Sequence, residues 1–379
     1  MTRIHALALI LLWGVVSASG AAGQAQPNAP TTAPFGEIRI GYLELESDPR
    51  YDEERAYARI QLRPLDRPFA AAELALAEAE SIGRVIRVRF ALERASAKSA
   101  EALAELARRT RALPVVILNA TAPDDRLRGE DCQPHLAHTG PSLLMQADAL
   151  MQYLVFRKWT SLLVLQGPLP EDAQWVAAVQ RAARKFGAKV VEVRPFQLTN
   201  DPRQREQTNV ALLTGGVEHD VVLVADSDGE FGRYVPYQTL RPRPVVGTVG
   251  LVPEAWHWSW ERNGGPQLNS RFEKKTGRRL TGQDWAVWVA VKAIVQSALR
   301  TRSVEFEANR RYLFGEQMNL DGFKGNPLSF RAWDRQLRQP LFLSTANAVI
   351  QRAPLRGFLH QTNELDTLGL DQPETACRP

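Results

Sequence analysis

Two short apolar runs flank one helix-length segment near the middle of the chain, and this pattern limits the possible fold more than any other. The first run, residues 113–119, ends at Asn119, and the second, residues 161–166, ends at Gln166. The segment between them, residues 143–159, is amphipathic. A strand, a helix and a strand in this order predict parallel strands with a covering helix. Ligands of such sheets lie outside the carboxyl ends of the strands, so residues 119–121 and 166–169 are the first candidates for a site.

The same alternation continues on both sides of this stretch. In the first part of the chain it predicts strands at 37–45, 85–92 and 115–119 and helices at 69–82, ended by Gly83, and at 97–111, capped by Ser96. In the second part it predicts helices at 143–157, capped by Ser142, at 171–186, ended by Gly187, and from Asn200 and Asp201 towards Leu213. The strands predicted there are 161–165, 188–193, 220–225 and 244–251. The chain is therefore predicted to be an α/β protein.

The sequence changes character after residue 251. Trp256, Trp258 and Trp260 lie close together, and two further helices are predicted at 269–276 and 284–300. Residues 328–333 and 341–350 are predicted to form a pair of antiparallel strands around 334–339. The tail, residues 357–379, is polar and has little pattern.

The N-terminus has the pattern of a cleaved secretory signal peptide. Arg3 and His5 precede an apolar run at 6–16, and small residues follow as far as Ala25. The run is shorter than the roughly 20 apolar residues that a membrane-spanning helix needs. We therefore expect a signal peptide at 1–25, a flexible spacer at 26–35 and export to the periplasm.

The charged residues do not indicate a nucleic-acid partner. Lys and Arg number 47 against 42 Asp and Glu, which gives a net charge of +5. The positive residues are scattered among negative ones and form no single stripe, as in an ordinary solvated surface.

The chain contains two cysteines, Cys132 and Cys377. An even number of cysteines in an exported protein favours a disulfide, and here one pairing exists. A zinc site built on Cys132, His135 and His138 is a weaker alternative, because the spacing is only part of a known pattern. No metal and no cofactor are expected.

Enzyme motifs are missing from the sequence. It contains no G-x-S-x-G, no H-E-x-x-H and no phosphate-binding loop, and residues 229–232 are not a dinucleotide fingerprint. The residues therefore predict a protein that is not an enzyme.

The order of elements resembles the type I periplasmic substrate-binding proteins of ABC transporters, in particular the branched-chain amino acid group. Five stretches are more specific and resemble the subfamily associated with PQQ-dependent alcohol dehydrogenase systems. They are APDDRLRGEDC (122–132), DSDGEFGRYVPY (226–237), AWHWSWERNG (255–264), LDGFKGNPLSFRAWDRQLRQP (320–340) and GFLHQTNELDTLG (357–369).

The resemblance implies two α/β lobes, each with a mostly parallel sheet flanked by helices, that close on a ligand. It places residues 36–139 and 251–325 in the first lobe and residues 140–250 and 326–379 in the second. The family fold has a further strand and helix before the strand that ends at Asn119, whereas here only the helix at 97–111 fits in that gap. The first lobe is thus expected to lack one βα unit, which puts amino-acid binding in doubt.

The resemblance and the strand ends together predict the ligand-binding residues. In the first lobe Asn119, Ala120 and Thr121 align with a segment that holds a carboxylate, although Asn and Thr also favour an ordinary turn. In the second lobe Gln166, Asp226 and Ser227 end strands at the same cleft, and Asp and Ser equally favour caps and turns. Trp256 and Trp258 could stack on a flat ligand, or pack in a core.

These features leave three functions open. The first is a periplasmic solute-binding protein, expected to be monomeric, that delivers a small molecule to an ABC permease and is linked to a PQQ-dependent dehydrogenase system. The second is a ligand sensor of the same fold. The third is an accessory protein of an exported alcohol dehydrogenase with no transport role.

Overall fold

The computed structural model describes residues 36–46, 48, 51, 66–199 and 201–377. The predicted signal peptide, the spacer up to residue 35, Asn200 and most of the loop after the first strand lie outside these residues. Within them, no helix has both the length and the hydrophobicity to cross a membrane.

The first sheet has four parallel strands in the order β2-β1-β3-β4. Its elements follow the chain as β1 (Gly36–Leu45), α1 (Phe69–Ile86), β2 (Val88–Ala97), α2 (Ala100–Arg109), β3 (Val116–Asn119) and β4 (Leu136–His138). Residues alternate between the two faces of β1, as the strand geometry requires. Ile40 and Tyr42 pack in one apolar cluster, and Leu43 packs in another on the opposite face.

The boundaries of α1, β2 and α2 differ from the prediction. Helix α1 does not end at Gly83 but continues to Ile86, and it is capped by Arg87 in the left-handed conformation, with φ 58°. The cap of α2 is Ser99, not Ser96; its Oγ accepts a hydrogen bond from the backbone of Ala102. Gly83 is needed for packing instead, because a Cβ there would lie 2.5 Å from the carbonyl oxygen of Val88.

The first sheet lacks the additional βα unit, as expected. Residues 88–119 are all described, and α2 is the only helix between β2 and β3. Strand β3 consequently pairs directly with β1, with Asn119 opposite Leu43. Strand β4 was not predicted, because three residues inside a polar segment give no recognisable pattern.

The second sheet also has four parallel strands, in the order β6-β5-β7-β8. Its elements are α3 (Leu143–Phe156), β5 (Ser161–Gln166), α4 (Pro170–Phe186), β6 (Lys189–Pro195), α5 (Arg205–Thr208), α6 (Val210–Leu213), β7 (Val221–Ala225), α7 (Val235–Gln238) and β8 (Val245–Gly247). Ser142 caps α3 and Gly187 ends α4, as predicted. The helix predicted towards Leu213 is divided, because Asn209 is extended and caps a new helix.

Two smaller antiparallel sheets complete the fold. One is β10 (Leu320–Asp321), β11 (Pro327–Phe330) and β12 (Leu337–Arg338), and the other is β14 (Val349–Ala353), β13 (Leu341–Ser344) and β9 (Val252–Glu254). The predicted pairing of residues 328–333 with 341–350 is therefore wrong. Each strand finds its partners in a separate sheet.

The chain passes repeatedly between two main apolar cores. The first core joins one face of the first sheet to α1 and to α8 (Gly265–Thr276) and α9 (Gly282–Thr301), and α10 (Phe306–Leu313) follows at its edge. The second core joins the second sheet to α3 and α4. Neighbouring residues of β13 enter both cores, since Phe342 belongs to the first and Leu343 to the second. The fold is thus two-lobed and mixed α/β.

Three segments of the chain connect the two cores. Residues 139–142 form the first crossing, residues 248–251 the second and residues 331–340 the third. Gln336 of the third crossing donates to the carbonyl oxygens of His138 and Gly140 at 3.2 and 3.1 Å. Gln339 donates to the carbonyl oxygen of Thr139 at 2.7 Å. The first and third crossings are therefore held together by buried amide side chains.

The close approach at Gly83 can be tested by stability measurement. Gly83→Ala should lower the free energy of unfolding by about 1–3 kcal/mol, because the new methyl group would press on the β2 backbone. The exposed change Ser81→Ala on the same helix should be neutral or slightly stabilising, since alanine favours helix. Urea unfolding followed by circular dichroism measures both, and a stabilised Gly83→Ala protein would contradict the contact.

Candidate functional site

Three of the predicted site residues lie at the carboxyl ends of parallel strands. Asn119 ends β3, Gln166 ends β5, and Asp226 follows β7 directly. Gln166 and Ala225 are register partners, so Gln166 and Asp226 lie at the same end of the second sheet. Their side chains differ in burial and in the number of hydrogen bonds they make within the protein.

Asn119 is a structural residue of the turn that follows β3. It is fully buried, and its Oδ1 accepts a hydrogen bond from the backbone of Ala122 at 3.0 Å. Its Nδ2 donates to the Ala122 carbonyl oxygen at 3.0 Å and lies 2.9 Å from Nδ1 of His138. The Asn119 side chain and the Ala122 amide are thus occupied within the first lobe. Ala120 is buried beside Gly140. A Cβ added to Gly140 would lie 2.6 Å from the Ala120 carbonyl oxygen.

Thr121 lies beside Gln283, which the sequence did not indicate, and Gln283 in turn contacts Tyr51. Its carbonyl oxygen accepts a hydrogen bond from Nε2 of Gln283 at 3.5 Å, and Oε1 of Gln283 accepts one from the Tyr51 hydroxyl. The Thr121 hydroxyl accepts from the backbone of Leu45 at 3.4 Å, and only 5% of Thr121 is exposed. Gln283 is at the start of α9, which only tertiary folding brings to β3. No local signal could have identified it.

The second-lobe edge is organised by Asp172, in the first turn of α4. Its carboxylate accepts hydrogen bonds from the Leu169 amide at 3.1 Å and from both the amide and the hydroxyl of Ser227 at 2.6 Å. Asp172 is almost fully buried, and a Cβ on Gly167 would clash with it. The Ser227 hydroxyl therefore links two strand-end loops. The sequence showed Asp172 only as an acidic residue in a first turn.

Asp226 is turned inward. Its Oδ2 accepts a hydrogen bond from the Gly232 amide at 2.5 Å, and its own amide donates to the Thr248 hydroxyl at 3.0 Å. Burial, together with the negative charge of Asp228, raises the pKa of Asp226 from 3.8 to about 7. The group is thus a carboxyl that exchanges a proton near neutral pH.

Gln166 is half-buried at the strand end. Its backbone carbonyl oxygen accepts a hydrogen bond from Phe196 at 2.9 Å, which fixes the main chain. Gln166 forms the last residue pair of β5 and β7 with Ala225, so the sheet sets the position of its backbone.

The tryptophan cluster is divided between the core and the surface. Trp256 is fully buried, stacks on Trp285 and donates from Nε1 to Asn269 at 2.9 Å. Trp258 is half-buried, and the guanidinium of Arg279 lies 3.6 Å from its ring centre. The segment turns at His257, whose carbonyl oxygen accepts from the amide of Trp260, so the alternation expected of an extended segment does not apply.

The two cysteines are joined in a disulfide, as predicted. Cys132 is therefore not a thiolate ligand for zinc. Across the part of the chain that the structure describes, no group of three or more metal-ligating side chains is placed to hold a metal ion.

The role of Asn119 predicts a stability effect. Asn119→Ala should lower the free energy of unfolding by about 1–3 kcal/mol, because the buried Ala122 amide loses its acceptor. The exposed change Asn319→Ala should have almost no effect. Thermal and urea unfolding without ligand measure both, and an unchanged Asn119→Ala protein would show that the turn does not need this side chain.

The raised pKa of Asp226 predicts a pH dependence. Because the folded-state pKa is above that of the unfolded chain, ionisation opposes folding. The contribution of Asp226 to stability is complete below about pH 4 and is lost as the pH rises through about 7. Asp226→Asn cannot ionise, so it should lose less unfolding free energy than the wild type between about pH 5 and pH 8, by on the order of 1–3 kcal/mol. Urea titrations at both pH values test this, with the exposed Glu261→Gln as control; parallel losses in wild type and Asp226→Asn would contradict it.

Comparison with known proteins identifies the fold. No protein-family model matches the sequence, and no curated protein does. Solved structures do match. An amino acid ABC transporter substrate-binding protein from Pseudomonas fluorescens has 12% identity and a TM-score of 0.64, over 91% of this chain and 100% of that one. A periplasmic binding protein from Burkholderia mallei has 13% identity and a TM-score of 0.63, over 90% and 98%.

A third similar structure is the solute binding protein of an ABC transporter from R. palustris in complex with benzoate. It has 11% identity and a TM-score of 0.62, over 91% of this chain and 100% of that one. These neighbours are binding proteins, not enzymes. At such low identity they show the fold alone, and that fold is the two-lobed periplasmic binding protein fold.

Proposed function

We propose that this chain is a periplasmic solute-binding protein that captures a small molecule between its two lobes and delivers it to an ABC importer. The observation that carries the proposal is the shared architecture. Two parallel sheets, each with polar residues at its carboxyl edge, are joined by crossings in a chain that matches solute-binding proteins over nine-tenths of its length. Ligands of parallel sheets bind at those edges.

The geometry narrows the proposed ligand-binding residues. Trp256 is a core residue, and the Asn119 side chain and the Ser227 hydroxyl are each bonded within one lobe. We keep the half-buried Gln166 and Trp258 as ligand contacts and add the half-buried Gln283. Thr121 and Asp226 are kept for their strand-end positions, although both are buried and hydrogen-bonded within one lobe, with Ala120 and Ser227 as their backbone neighbours.

The chemistry of these groups favours a particular ligand class. They offer amide, hydroxyl and carboxyl groups, and Trp258 offers an aromatic face. Such groups pair best with a small molecule that carries hydroxyl or amide groups of its own. The first-lobe turn is internally bonded at Ala122, so it offers less to a carboxylate than the resemblance implies.

The same proposal includes export through the predicted signal peptide, a monomeric state and a permease partner. It also includes the lobe boundaries given by the resemblance. The link to a PQQ-dependent dehydrogenase system rests on the five resembling stretches. A sensor of the same fold, or a dehydrogenase accessory protein, would share the fold but deliver nothing to a permease.

Native mass spectrometry of the protein purified from periplasm tests the proposal. We expect a bound small molecule, and small-angle scattering should show compaction when that molecule is returned to stripped protein. Compaction is expected because the ligand contacts both lobes only in the closed state. Absence of any bound small molecule, together with co-purification of a dehydrogenase, would contradict transport and favour the accessory role.

Gln166 gives the cleanest mutational test. Gln166→Ala should weaken binding of the identified ligand about two- to tenfold, the value of one net hydrogen bond, and leave the unfolding midpoint unchanged. Gln174→Ala, on the exposed face of α4, is the matched control and should alter neither. Calorimetric titration measures affinity, and wild-type affinity in Gln166→Ala would remove this residue from the site.

A further inference from the structure

We propose that residues 365–377 form a strap that ties the second lobe to the first and limits how far the two lobes separate. The inference concerns regulation of the proposed ligand site and rests on the proposed function in one respect, namely that the lobes move relative to each other. It adds a fourth connection, closed by a disulfide, to the crossings already described.

The first part of the strap is fixed to the second lobe. Nζ of Lys185, near the end of α4, donates to the carbonyl oxygens of Thr367 and Gly369 at 3.0 and 3.2 Å. Asp148 of α3 accepts from the Gly369 amide at 2.8 Å and pairs with Lys185 at 2.7 Å. Leu368 is fully buried in the second core. These contacts combine an ion pair to the buried Asp148 with apolar packing, so this part moves with the second lobe.

Arg331 of the third crossing fixes the same part from the other side. Its Nε donates to Asp366 at 2.7 Å, and its Nη atoms donate to the carbonyl oxygens of Leu368 and Leu370 at 2.6 and 3.2 Å. Both Arg331 and Asp366 are almost fully buried. Asp366 also pairs with Arg338 at 2.9 Å, so two guanidinium groups hold its carboxylate. Opening this buried cluster is costly, because it would leave buried charges incompletely paired.

The last part of the strap is fixed to the loop between β3 and β4. The Thr375 hydroxyl donates to the carbonyl oxygen of Arg128 at 3.0 Å, and Cys377 is bonded to Cys132. Thr375 and Cys377 are 4% and 1% exposed, so both anchors are enclosed.

This loop belongs to the first lobe. Leu127 is buried in the cluster that also contains Leu103 of α2 and Ile117 of β3. Asp131, next to Cys132, pairs with Arg108 of α2 at 3.4 Å. Cys377 is therefore attached, through Cys132 and this loop, to the first sheet.

The strap is anchored to both lobes by adjacent residues where it passes between them. Glu374 pairs with Arg181 of α4 at 3.5 Å, and the next residue, Thr375, bonds to Arg128. Adjacent Cα atoms are about 3.8 Å apart, so separation of α4 from the loop must break one of these anchors. The disulfide keeps the far end attached when the weaker bonds break. The free protein should therefore populate a narrower range of open states, which lowers the entropic cost of closing on a ligand.

The interlobe amides of α3 give a direct readout of this restraint. The Leu143 amide donates to the carbonyl oxygen of Pro123, and the Leu144 amide donates to Asp125, both at 3.2 Å. The first amides of a helix have no partner within it, so their protection from hydrogen exchange depends on these contacts.

The experiment compares ligand-free wild type with the Cys132→Ser/Cys377→Ser double variant. We expect at least tenfold faster exchange at Leu143 and Leu144 and a broader distance distribution in small-angle scattering. Exchange in β7, at the centre of the second sheet, should stay unchanged. Unchanged exchange and scattering would overturn the strap, as would a uniform increase that includes β7, since that would indicate general destabilisation.

Two further measurements complete the test. If the double variant does not fold, folded wild type reduced with a phosphine is measured in the same way, with the same expected and contrary results. Failure of the proposed function is seen separately, as wild type that no small molecule compacts. The strap alone would be rejected if the protein with the disulfide and the protein without it had the same scattering before ligand is added and compacted equally afterwards.

Discussion

The buried guanidinium of Arg128 is the interaction on which the junction between the lobes depends. It donates to the carbonyl oxygens of Ala122 and Asp124 in its own loop, to that of Gly140 in the first crossing and to Gln336 in the third. Burial lowers its pKa to about 10, so it remains charged at neutral pH. A buried charge is tolerated only when its donors are satisfied, and here the partners come from segments far apart in sequence. One side chain therefore joins this loop to the first and third crossings.

This dependence explains the positions of three of the five more specific stretches of the sequence. Arg128 lies in residues 122–132, Gln336 in 320–340, and Asp366 in 357–369. In the structure Arg128 and Gln336 bond to each other at the crossings, and Asp366 bonds to Arg331 and holds the tail. A resemblance carried by them is thus informative about the architecture of the junction. It says less about the ligand.

The first lobe shows how a missing βα unit is accommodated. Strand β3 pairs directly with β1, and Leu127 of the loop after β3 packs with α2 against the sheet. The disulfide and the Asn119 turn then stabilise this loop. Some polar groups of the first-lobe strand end are used for this purpose, so the proposed ligand site depends more on Gln166, Gln283 and Trp258.

Local chemistry in the sequence determined the alternation of strands and helices, the caps at Ser142 and Gly187, and the strand ends that define the candidate edges. These depend on residues a few positions apart, and the single cysteine pairing depends only on a count. Tertiary structure decided the partners of the short strands β11 and β13, because register is set by distant segments. It also decided which polar side chains remain available at the edges. Asn119 and Trp256 match a binding residue in type and position, but distant partners such as His138 and Trp285 enclose them.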